Sequence, residues 1–300
     1  MITNQVNQVS DFYFAVGKAK AFVQMLKVRL SFLVAFSCAF GYMLAVKGSV
    51  NIETLLMLTL GGFLMSGASV CINQIIETDI DKVMTRTANR PLPTGRLSKT
   101  EVTVFTIICM LASTLILWIY TNPLTVSLSL VSMVLYGFVY TPLKRVGPIA
   151  VFVGAIPGAL PPLLGWIAAT GTITDEALII FGIQFIWQFP HFWAIAWVAD
   201  DDYKKAGFKL LPSGGGKDLN TAIQIMTYTM FLIPLGLLPA KFGITGIDSA
   251  IVATICGVAF FAQTFSLLKT GSRKSAMRIM FGSFLYLPIV QIAYLLDKVN

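Results

Sequence analysis

Nine apolar stretches, each about as long as a bilayer is thick, alternate with short polar segments along this chain. A transmembrane helix needs roughly 20 predominantly apolar residues. The pattern therefore predicts an all-α, polytopic membrane protein in which residues 1–300 form one transmembrane domain. The predicted spans are residues 30–47, 54–76, 102–120, 123–141, 148–169, 177–198, 221–240, 247–268 and 279–296.

Basic residues separate the loops into two sides. Nineteen of the 22 Lys and Arg residues fall in alternate loops, and only Lys47, Lys241 and Lys298 remain for the opposite side. Cytoplasmic loops accumulate Lys and Arg, so we expect residues 1–29 to form a cytoplasmic N-terminal segment. That segment lacks the apolar core and cleavage site of a signal peptide. We expect a protein of the cell inner membrane whose C-terminus is periplasmic or extracellular.

Composition agrees with this class. Hydrophobic residues make up 56% of the chain and charged residues 12%, and the mean hydropathy is +0.77, far from a soluble domain. The net charge of +8 follows from the basic loops, so the lipid bilayer is an expected partner and nucleic acid is not. Four cysteines stand singly in apolar spans, which favours buried small side chains over a metal site or a disulfide.

Oxygen-bearing side chains end the second apolar stretch. At the helical spacing i, i+4 and i+8, Asn73, Glu77 and Asp81 lie along one broad face, about 12 Å from end to end. Burial of these groups without a ligand would be costly. Oxygen donors of this kind suit Mg²⁺, which takes carboxylates together with substrate phosphates. We therefore interpret the three residues as magnesium ligands and expect a diphosphate substrate.

A second acidic group follows the sixth apolar stretch, at Asp200, Asp201 and Asp202. Both acidic groups face the same side of the membrane, four spans apart, and together could hold two metal ions around a diphosphate. The alternative is that loop acids are solvated or pair with neighbouring Lys and Arg. We favour this alternative for Asp79, Asp200 and Asp201.

Several longer motifs run in order along the chain. They are Lys27-Val28-Arg29, Asn73-x-x-x-Glu77-x-x-x-Asp81-x-x-Met84-x-Arg86-Thr87-x-x-Arg90-Pro91-Leu92-Pro93-x-Gly95, Tyr140-Thr141-Pro142-Leu143-Lys144-Arg145, residues 158–166, Gln188-Phe189-Pro190-His191-Phe192-Trp193, Asp202-Tyr203 and Leu211-Pro212. Together they resemble the UbiA-type intramembrane prenyltransferases and, within that family, the protohaem IX farnesyltransferase branch. The motifs cover residues 27–212, and the resemblance continues beyond them as topology only.

This resemblance implies nine helices around a central cavity that opens to the cytoplasm. It also implies Mg²⁺-dependent transfer of a farnesyl group from farnesyl diphosphate to a vinyl group of haem B. Water then captures the resulting cation, and the product is haem O. The resemblance further implies a place in haem biosynthesis for respiratory oxidases, in association with haem A synthase or terminal-oxidase assembly.

The same resemblance implies roles for individual residues. Asn73, Glu77 and Asp81 bind one Mg²⁺, and Asp202 helps to bind a second. Five basic residues become candidates for holding phosphate oxygens, the alternative being contact with lipid headgroups. These are Arg29, Arg86, Arg90, Lys144 and Arg145.

Aromatic and imidazole side chains supply further candidates. Tyr136 and Tyr140, one helical turn apart, can shelter an allylic cation through their ring faces or anchor the chain at the membrane interface. His191 is the single histidine and lies within the sixth span beside Pro190. Histidine is a common axial ligand of haem iron, so His191 is a candidate for binding the haem acceptor. The alternative is a hydrogen-bonded core residue.

Three positions depart from the wider family pattern. Glu77 stands where Asp is usual, which marks the haem branch, and Val28 replaces a Pro. Val198 occupies the first acidic position of a DxxxD motif. The last departure leaves Asp202 as the matched acid, with Asp200 or Asp201 as possible substitutes in binding a second metal ion.

The sequence also allows other functions. A prenyltransferase acting on an aromatic quinone precursor would share the acidic motif, although His191 and the residues before it argue against that acceptor. A transporter needs polar residues reaching both faces of the membrane, and the acids of the outer side lie in short loops or at the terminus. A non-catalytic haem-handling protein would keep His191 without needing the acidic series.

Overall fold

The computed structural model describes residues 16–299, and this part of the chain contains nine helices long and apolar enough to cross a membrane. They are α1 (Val28–Ala45), α2 (Ile52–Ile76), α3 (Lys99–Tyr120), α4 (Pro123–Leu143), α5 (Ile149–Thr170), α6 (Asp175–Val198), α7 (Leu219–Lys241), α8 (Ile247–Thr270) and α9 (Arg273–Leu296). The predictions of an all-helical protein and of nine spans are confirmed. Residues 1–15 of the predicted N-terminal segment lie outside the described residues.

Side-chain caps mark where several helices begin. Asn51, Asn122 and Thr174 accept a hydrogen bond from the backbone N–H three residues later, at the starts of α2, α4 and α6. At the start of α3, Ser98 and Glu101 form a reciprocal capping box. These bonds satisfy N–H groups that a helix leaves unpaired at its first turn, so the polar residues between apolar stretches set the helix boundaries.

Helix α9 begins earlier than its hydropathy indicates. The apolar stretch starts at residue 279, but the helix starts at Arg273, where the Ser272 side chain accepts a hydrogen bond from the Ser275 N–H. The basic residues of this first turn lower the hydropathy without interrupting the helical backbone.

Helices α1 and α5 meet backbone to backbone. A Cβ atom added at Gly41 would lie 1.9 Å from the carbonyl oxygen of Pro162, and one added at Gly165 would lie 1.9 Å from the carbonyl oxygen of Cys38. No side chain fits at either glycine, so both are required for the contact. Helix α5 is also the most enclosed of the nine spans, which makes the α1–α5 contact the centre of the bundle.

Helix α4 changes its winding before it ends. It is α-helical over Pro123–Val134, π-helical over Leu135–Tyr140, and ends in the turn Thr141–Leu143. π-Helical turns are rare and often occur at functional sites. This turn lies at the end of the bundle that carries the loops 77–98 and 199–218, which we call the basic end.

The cysteines of the described residues form no disulfide. Cys38, Cys71 and Cys109 are buried, and Cys256 is half-buried. This agrees with the expectation of small buried side chains.

Candidate active site

Three oxygen-bearing side chains are buried where α2 ends. Helix α2 stops at Ile76 and a separate turn, Thr78–Asp81, follows. The N–H groups of Glu77 and Asp81 nevertheless donate to the carbonyls four residues earlier, at 2.9 and 2.7 Å. The helical spacing is therefore kept through the break. Asn73, Glu77 and Asp81 are 2%, 3% and 0% exposed and form one buried group at the basic end.

Hydrogen bonds leave specific oxygens of this group free. Asn73 Nδ2 donates to Glu77 Oε2 at 2.8 Å and to Thr141 Oγ1 at 3.1 Å; Asn73 Oδ1 receives no hydrogen bond from the described residues. Asp81 Oδ1 is also buried without a partner, the one carboxylate oxygen so placed in the described part of the chain. Burying such an oxygen costs free energy unless a cation or a hydrogen-bond donor binds to it. These hard oxygen donors fit one Mg²⁺.

Two basic side chains neutralise the carboxylates. Lys144 Nζ donates to Glu77 Oε1 at 2.8 Å and to Oε2 at 3.1 Å, and Arg90 Nη1 donates to Asp81 Oδ2 at 2.6 Å. Burial lowers the pKa of Lys144 below its ordinary value, although the Glu77 charge acts in the opposite direction. The Lys144 ammonium also lies 4.9 Å from the centroid of the Tyr140 ring. Acids from one loop and bases from two loops thus form one paired cluster.

Asp202 joins the two acidic loops. Its two carboxylate oxygens accept hydrogen bonds from the backbone N–H groups of Thr85 and Arg86, both at 3.2 Å. Burial by itself raises the pKa of Asp202, but these backbone bonds outweigh it and lower the pKa. Nowhere in residues 16–299 do three His, Cys, Asp or Glu side chains group closely enough to hold a metal ion. The role of Asp202 toward a second metal ion stays a prediction.

The other loop acids are paired with lysines or exposed. Asp200 Oδ2 pairs with Lys204 at 2.9 Å and with Lys217 at 3.1 Å. Asp79 is exposed and pairs with lysines on its own side of the bundle, and Asp201 is exposed. These positions agree with the structural interpretation favoured for the three residues.

Lys27 lies beside the charged cluster, although the motifs did not select it as a site residue. It precedes α1 with a left-handed backbone, φ 44° and ψ 58°, which is uncommon for a residue other than glycine. Burial lowers the pKa of Lys27 to about 7, and the positive charges of Arg90 and Lys144 act in the same direction. This coupling places the Lys27 ammonium in the region of those two side chains.

The remaining basic candidates divide into two groups. Arg86 is exposed toward solvent but lines a cavity beside the charged cluster. Arg29 and Arg145 are exposed and form no ion pair within the described residues. The structure therefore brings Arg86 to the site and does not bring Arg29 or Arg145 to it, and phosphate binding by the latter two stays a prediction.

The cavity has a volume of about 460 Å³ and runs from the basic end into the bundle. Arg86 and Tyr136 line its basic end, whereas Leu58 and Leu117 line it near the opposite ends of α2 and α3. The ring centroids of Tyr136 and Tyr140 are 5.4 Å apart, but only Tyr136 lines the cavity. A long, mostly apolar space with polar groups at one end suits an amphiphilic ligand.

His191 lines the same cavity from α6. Its Nδ1 lies 2.8 Å from Ser283 Oγ, and Ser283 Oγ donates its own proton to Met280 O at 2.6 Å. A hydroxyl has one proton, so Nδ1–H is the donor to Ser283 and Nε2 carries the free lone pair. The imidazole stacks on Trp187 at 4.5 Å and meets Phe284 edge-on at 5.0 Å, which fixes the orientation of the ring.

Comparison with known proteins decides the family. Residues 34–287, most of the chain, match the UbiA prenyltransferase family. This chain belongs to that family. The resemblance indicated by the motifs is confirmed.

Relatives in the UbiA family are similar along nearly their whole length. A protoheme IX farnesyltransferase from Cytophaga hutchinsonii is 52% identical over 280 residues, which cover 93% of this chain and 98% of the relative. A second protein of that name, from Flavobacterium psychrophilum, is 45% identical and covers 92% of this chain and 94% of its own.

Solved structures of UbiA-type proteins share the fold. The structure of a digeranylgeranylglyceryl phosphate synthase superposes with a TM-score of 0.77 at 20% identity, covering 93% of this chain and 98% of that one. A UbiA homologue from Archaeoglobus fulgidus bound to GPP and Mg²⁺ gives a TM-score of 0.66 at 17% identity, with 91% and 99% covered. At these identities the likeness concerns the helical fold.

Proposed function

We propose that this protein transfers a farnesyl group from farnesyl diphosphate to a vinyl group of haem B, giving haem O and diphosphate. The names of its relatives support this proposal. The structural observation that carries it is the position of the buried Asn73–Glu77–Asp81 series. That series lies beside a mostly apolar cavity, which also presents an imidazole nitrogen with a free lone pair.

The charged cluster would hold the diphosphate. Asn73, Glu77 and Asp81 would hold Mg²⁺, which would supply positive charge where negative charge grows on the departing oxygens. Lys144 and Arg90, already beside the carboxylates, can donate charge-assisted hydrogen bonds to phosphate oxygens. No protein nucleophile is required, because an allylic diphosphate ionises once the charge on its leaving group is stabilised.

The loop around Arg86 would close one side of this site. Asp202 holds the backbone of Thr85 and Arg86, and the Arg86 side chain lines the mouth of the cavity. Asp202 therefore orients the Arg86 backbone from the second acidic loop.

The cavity would hold the farnesyl chain and protect the allylic cation. Tyr136 lines the cavity at the basic end, where its ring face can stabilise positive charge. The apolar lining beyond it excludes water from the ionised prenyl group, which limits simple hydrolysis of the diphosphate.

His191 would bind the haem acceptor. Ser283 holds Nδ1–H and leaves the Nε2 lone pair for iron, the arrangement by which an outer partner fixes a metal-binding imidazole. Trp187 and Phe284 line the cavity beside it and offer flat apolar surfaces to a porphyrin.

The location follows from the charges. The proposed diphosphate site lies at the basic end of the bundle, and the positive-inside rule favours the cytoplasm for that end. We therefore assign the protein to the inner membrane with a cytoplasmic N-terminal segment and an outer C-terminus, where it supplies haem O to haem A synthase or to terminal-oxidase assembly.

Product analysis tests the proposal. The purified full-length protein is incubated with Mg²⁺, farnesyl diphosphate and equal amounts of haem B and 4-hydroxybenzoate, and the products are identified by mass spectrometry. We expect haem B that carries a farnesyl and a hydroxyl group, together with free diphosphate. Prenylated benzoate without modified haem would instead support the quinone-precursor function, and undiminished synthesis in excess chelator would contradict the metal requirement.

A further inference from the structure

Gln188 presents an unpartnered oxygen to the cavity. Its Nε2 donates to the carbonyl oxygen of Ala155 at 2.9 Å and to that of Gln184 at 3.4 Å. Its Oε1 receives no hydrogen bond from the described residues, although the side chain is only 2% exposed and lines the cavity. Buried amide oxygens are normally hydrogen-bonded. The fixed amide therefore leaves one acceptor available for a ligand.

The wall around Gln188 is built from further acceptors. Pro161 has no N–H, so the carbonyl oxygen of Pro157 lacks the usual helical partner four residues later, and it accepts from Ser132 Oγ at 3.4 Å. A Cβ atom at Gly158 would lie 2.0 Å from Gln188 Oε1, so glycine there makes room for the amide. Pro157, Gly158 and Gln188 all line the cavity. Such a surface suits an O–H donor or a positive charge.

Gln188 also lies beside the proposed acceptor site. It precedes His191 by three residues on α6, which is about 4.5 Å along the axis and on neighbouring parts of one helix face. A ligand bound at His191 therefore brings its periphery close to the Gln188 oxygen.

We propose that Gln188 positions the water molecule that completes the reaction, an inference that rests on the proposed function. The C1–O bond of farnesyl diphosphate breaks, and its electron pair leaves with the diphosphate. The vinyl π electrons form the new carbon–carbon bond, which leaves a positive charge on the inner vinyl carbon. Water held by Gln188 Oε1 forms the C–O bond to that carbon, and the released proton goes to the diphosphate.

Without the positioned water, the cation can react in a second way. The carbon next to the cation can release a proton to the diphosphate and form an alkene, which is lighter than haem O by one water. The ratio of alkene to hydroxylated product therefore reports the position of the water, whereas a purely structural defect reduces both products together.

The experiment compares Gln188→Leu and Gln188→Met with the wild-type full-length protein in lipid nanodiscs. Haem B, farnesyl diphosphate and Mg²⁺ are supplied in ¹⁸O-water, and products are separated by mass. We expect wild type to give ¹⁸O-labelled haem O and both variants to raise the alkene ratio by about tenfold, the effect of losing roughly one buried hydrogen bond. An unchanged ratio in either variant, or loss of both products in both variants, would overturn the proposal.

Gln184→Leu is the matched control. Gln184 lines the same cavity and is equally an amide, but Nε2 donates to Gly158 O at 2.8 Å and Oε1 accepts from Ser37 and Gln291. This variant loses more protein hydrogen bonds than a Gln188 variant, and we expect lower thermal stability with an unchanged product ratio. If the wild-type protein forms no farnesylated haem, the proposed function is rejected, and the role of Gln188 with it. If the variants are active but their product ratio is unchanged, only the role of Gln188 is rejected.

Discussion

Lys144 Nζ lies 2.8 Å from Glu77 Oε1, across 67 positions of sequence. The ammonium follows the turn that ends α4, and the carboxylate is the first residue after α2. Both side chains are almost completely buried, so neither charge is compensated by solvent. This pair therefore connects the stability of the basic end to the proposed binding of Mg²⁺ and diphosphate there.

Removal of Lys144 alone should destabilise the protein. Lys144→Met leaves the Glu77 carboxylate buried without its partner, and breaking a buried pair in this way costs about 3–5 kcal/mol. We expect a clear fall in the thermal unfolding temperature of the detergent-purified protein, measured by tryptophan fluorescence, and loss of prenyl transfer.

The double variant Lys144→Met/Glu77→Gln separates stability from function. With both charges gone, the unfolding temperature should recover most of the loss while activity stays absent. A double variant no more stable than Lys144→Met would show that the two residues do not act as a pair.

Asp81 should be required for metal binding. Asp81→Asn keeps the shape of the side chain and removes the charge beside the unpartnered Oδ1, so we expect loss of the Mg²⁺-induced rise in unfolding temperature. Activity should fall by about 10²–10³-fold, as when one group that stabilises developing charge is removed. Asp79→Asn is the control, because Asp79 is exposed and paired with loop lysines; an equal loss in this variant would contradict the assignment.

Diphosphate binding should depend on pH through Lys27. Its pKa is about 7 in the free protein, and a bound anion raises that pKa, so binding takes up protons at pH 7.5. Affinity should increase as pH falls through 7 and level off about one pH unit below the pKa, since Lys27 is then charged before binding. Calorimetry in buffers of different ionisation enthalpy measures the uptake.

Lys27→Met is the comparison for this measurement. The diphosphate titrates identically in both proteins, so the difference in proton uptake isolates Lys27. We expect the variant to bind about 10- to 100-fold more weakly near pH 6.5, since hydrogen bonds to charged groups contribute about 1.5–3 kcal/mol. Equal proton uptake by the two proteins would place Lys27 away from the anion.

His191 should determine the absorption spectrum of bound haem. His191→Ala removes the Nε2 lone pair, so we expect a shifted Soret band and weaker binding of haem B. Ser283→Ala keeps the imidazole but releases Nδ1, and it should weaken binding less while preserving ligation. A His191→Ala spectrum identical to wild type would exclude iron ligation by this residue.

Much of the fold could be predicted from the sequence because its elements are local. Transmembrane helices satisfy their own backbone groups, so an apolar stretch of sufficient length specifies a span without knowledge of its neighbours. The largest displacement of a boundary, at Arg273, arises because a Ser cap starts a helix before hydropathy rises. The grouping of Asn73, Glu77 and Asp81 on one side of the chain could also be predicted, since helical spacing continues through the break at Glu77.

Other parts of the site depend on contacts between distant segments. The motifs offered Arg29 and Arg145 as phosphate ligands, whereas the structure exposes both and leaves Lys27 partly buried, near enough for the charges of Arg90 and Lys144 to lower its pKa. The left-handed backbone at Lys27 breaks the helical spacing before α1, so the direction of the Lys27 side chain does not follow from its position relative to that helix. Sequence spacing therefore could not decide which basic side chain faces inward.

By itself the sequence determined nine spans, the alternation of strongly and weakly basic loops and a set of oxygen-bearing side chains at the end of α2, because hydropathy and helical period act over neighbouring residues. Only the tertiary structure decided that Lys144 reaches Glu77, that Asp202 holds the Thr85–Arg86 backbone, and that Ser283 fixes the tautomer of His191. Each of these joins side chains from different helices or loops. Their distances depend on how the bundle packs, as at the glycine contact of α1 with α5, and helix packing is a property of the whole bundle.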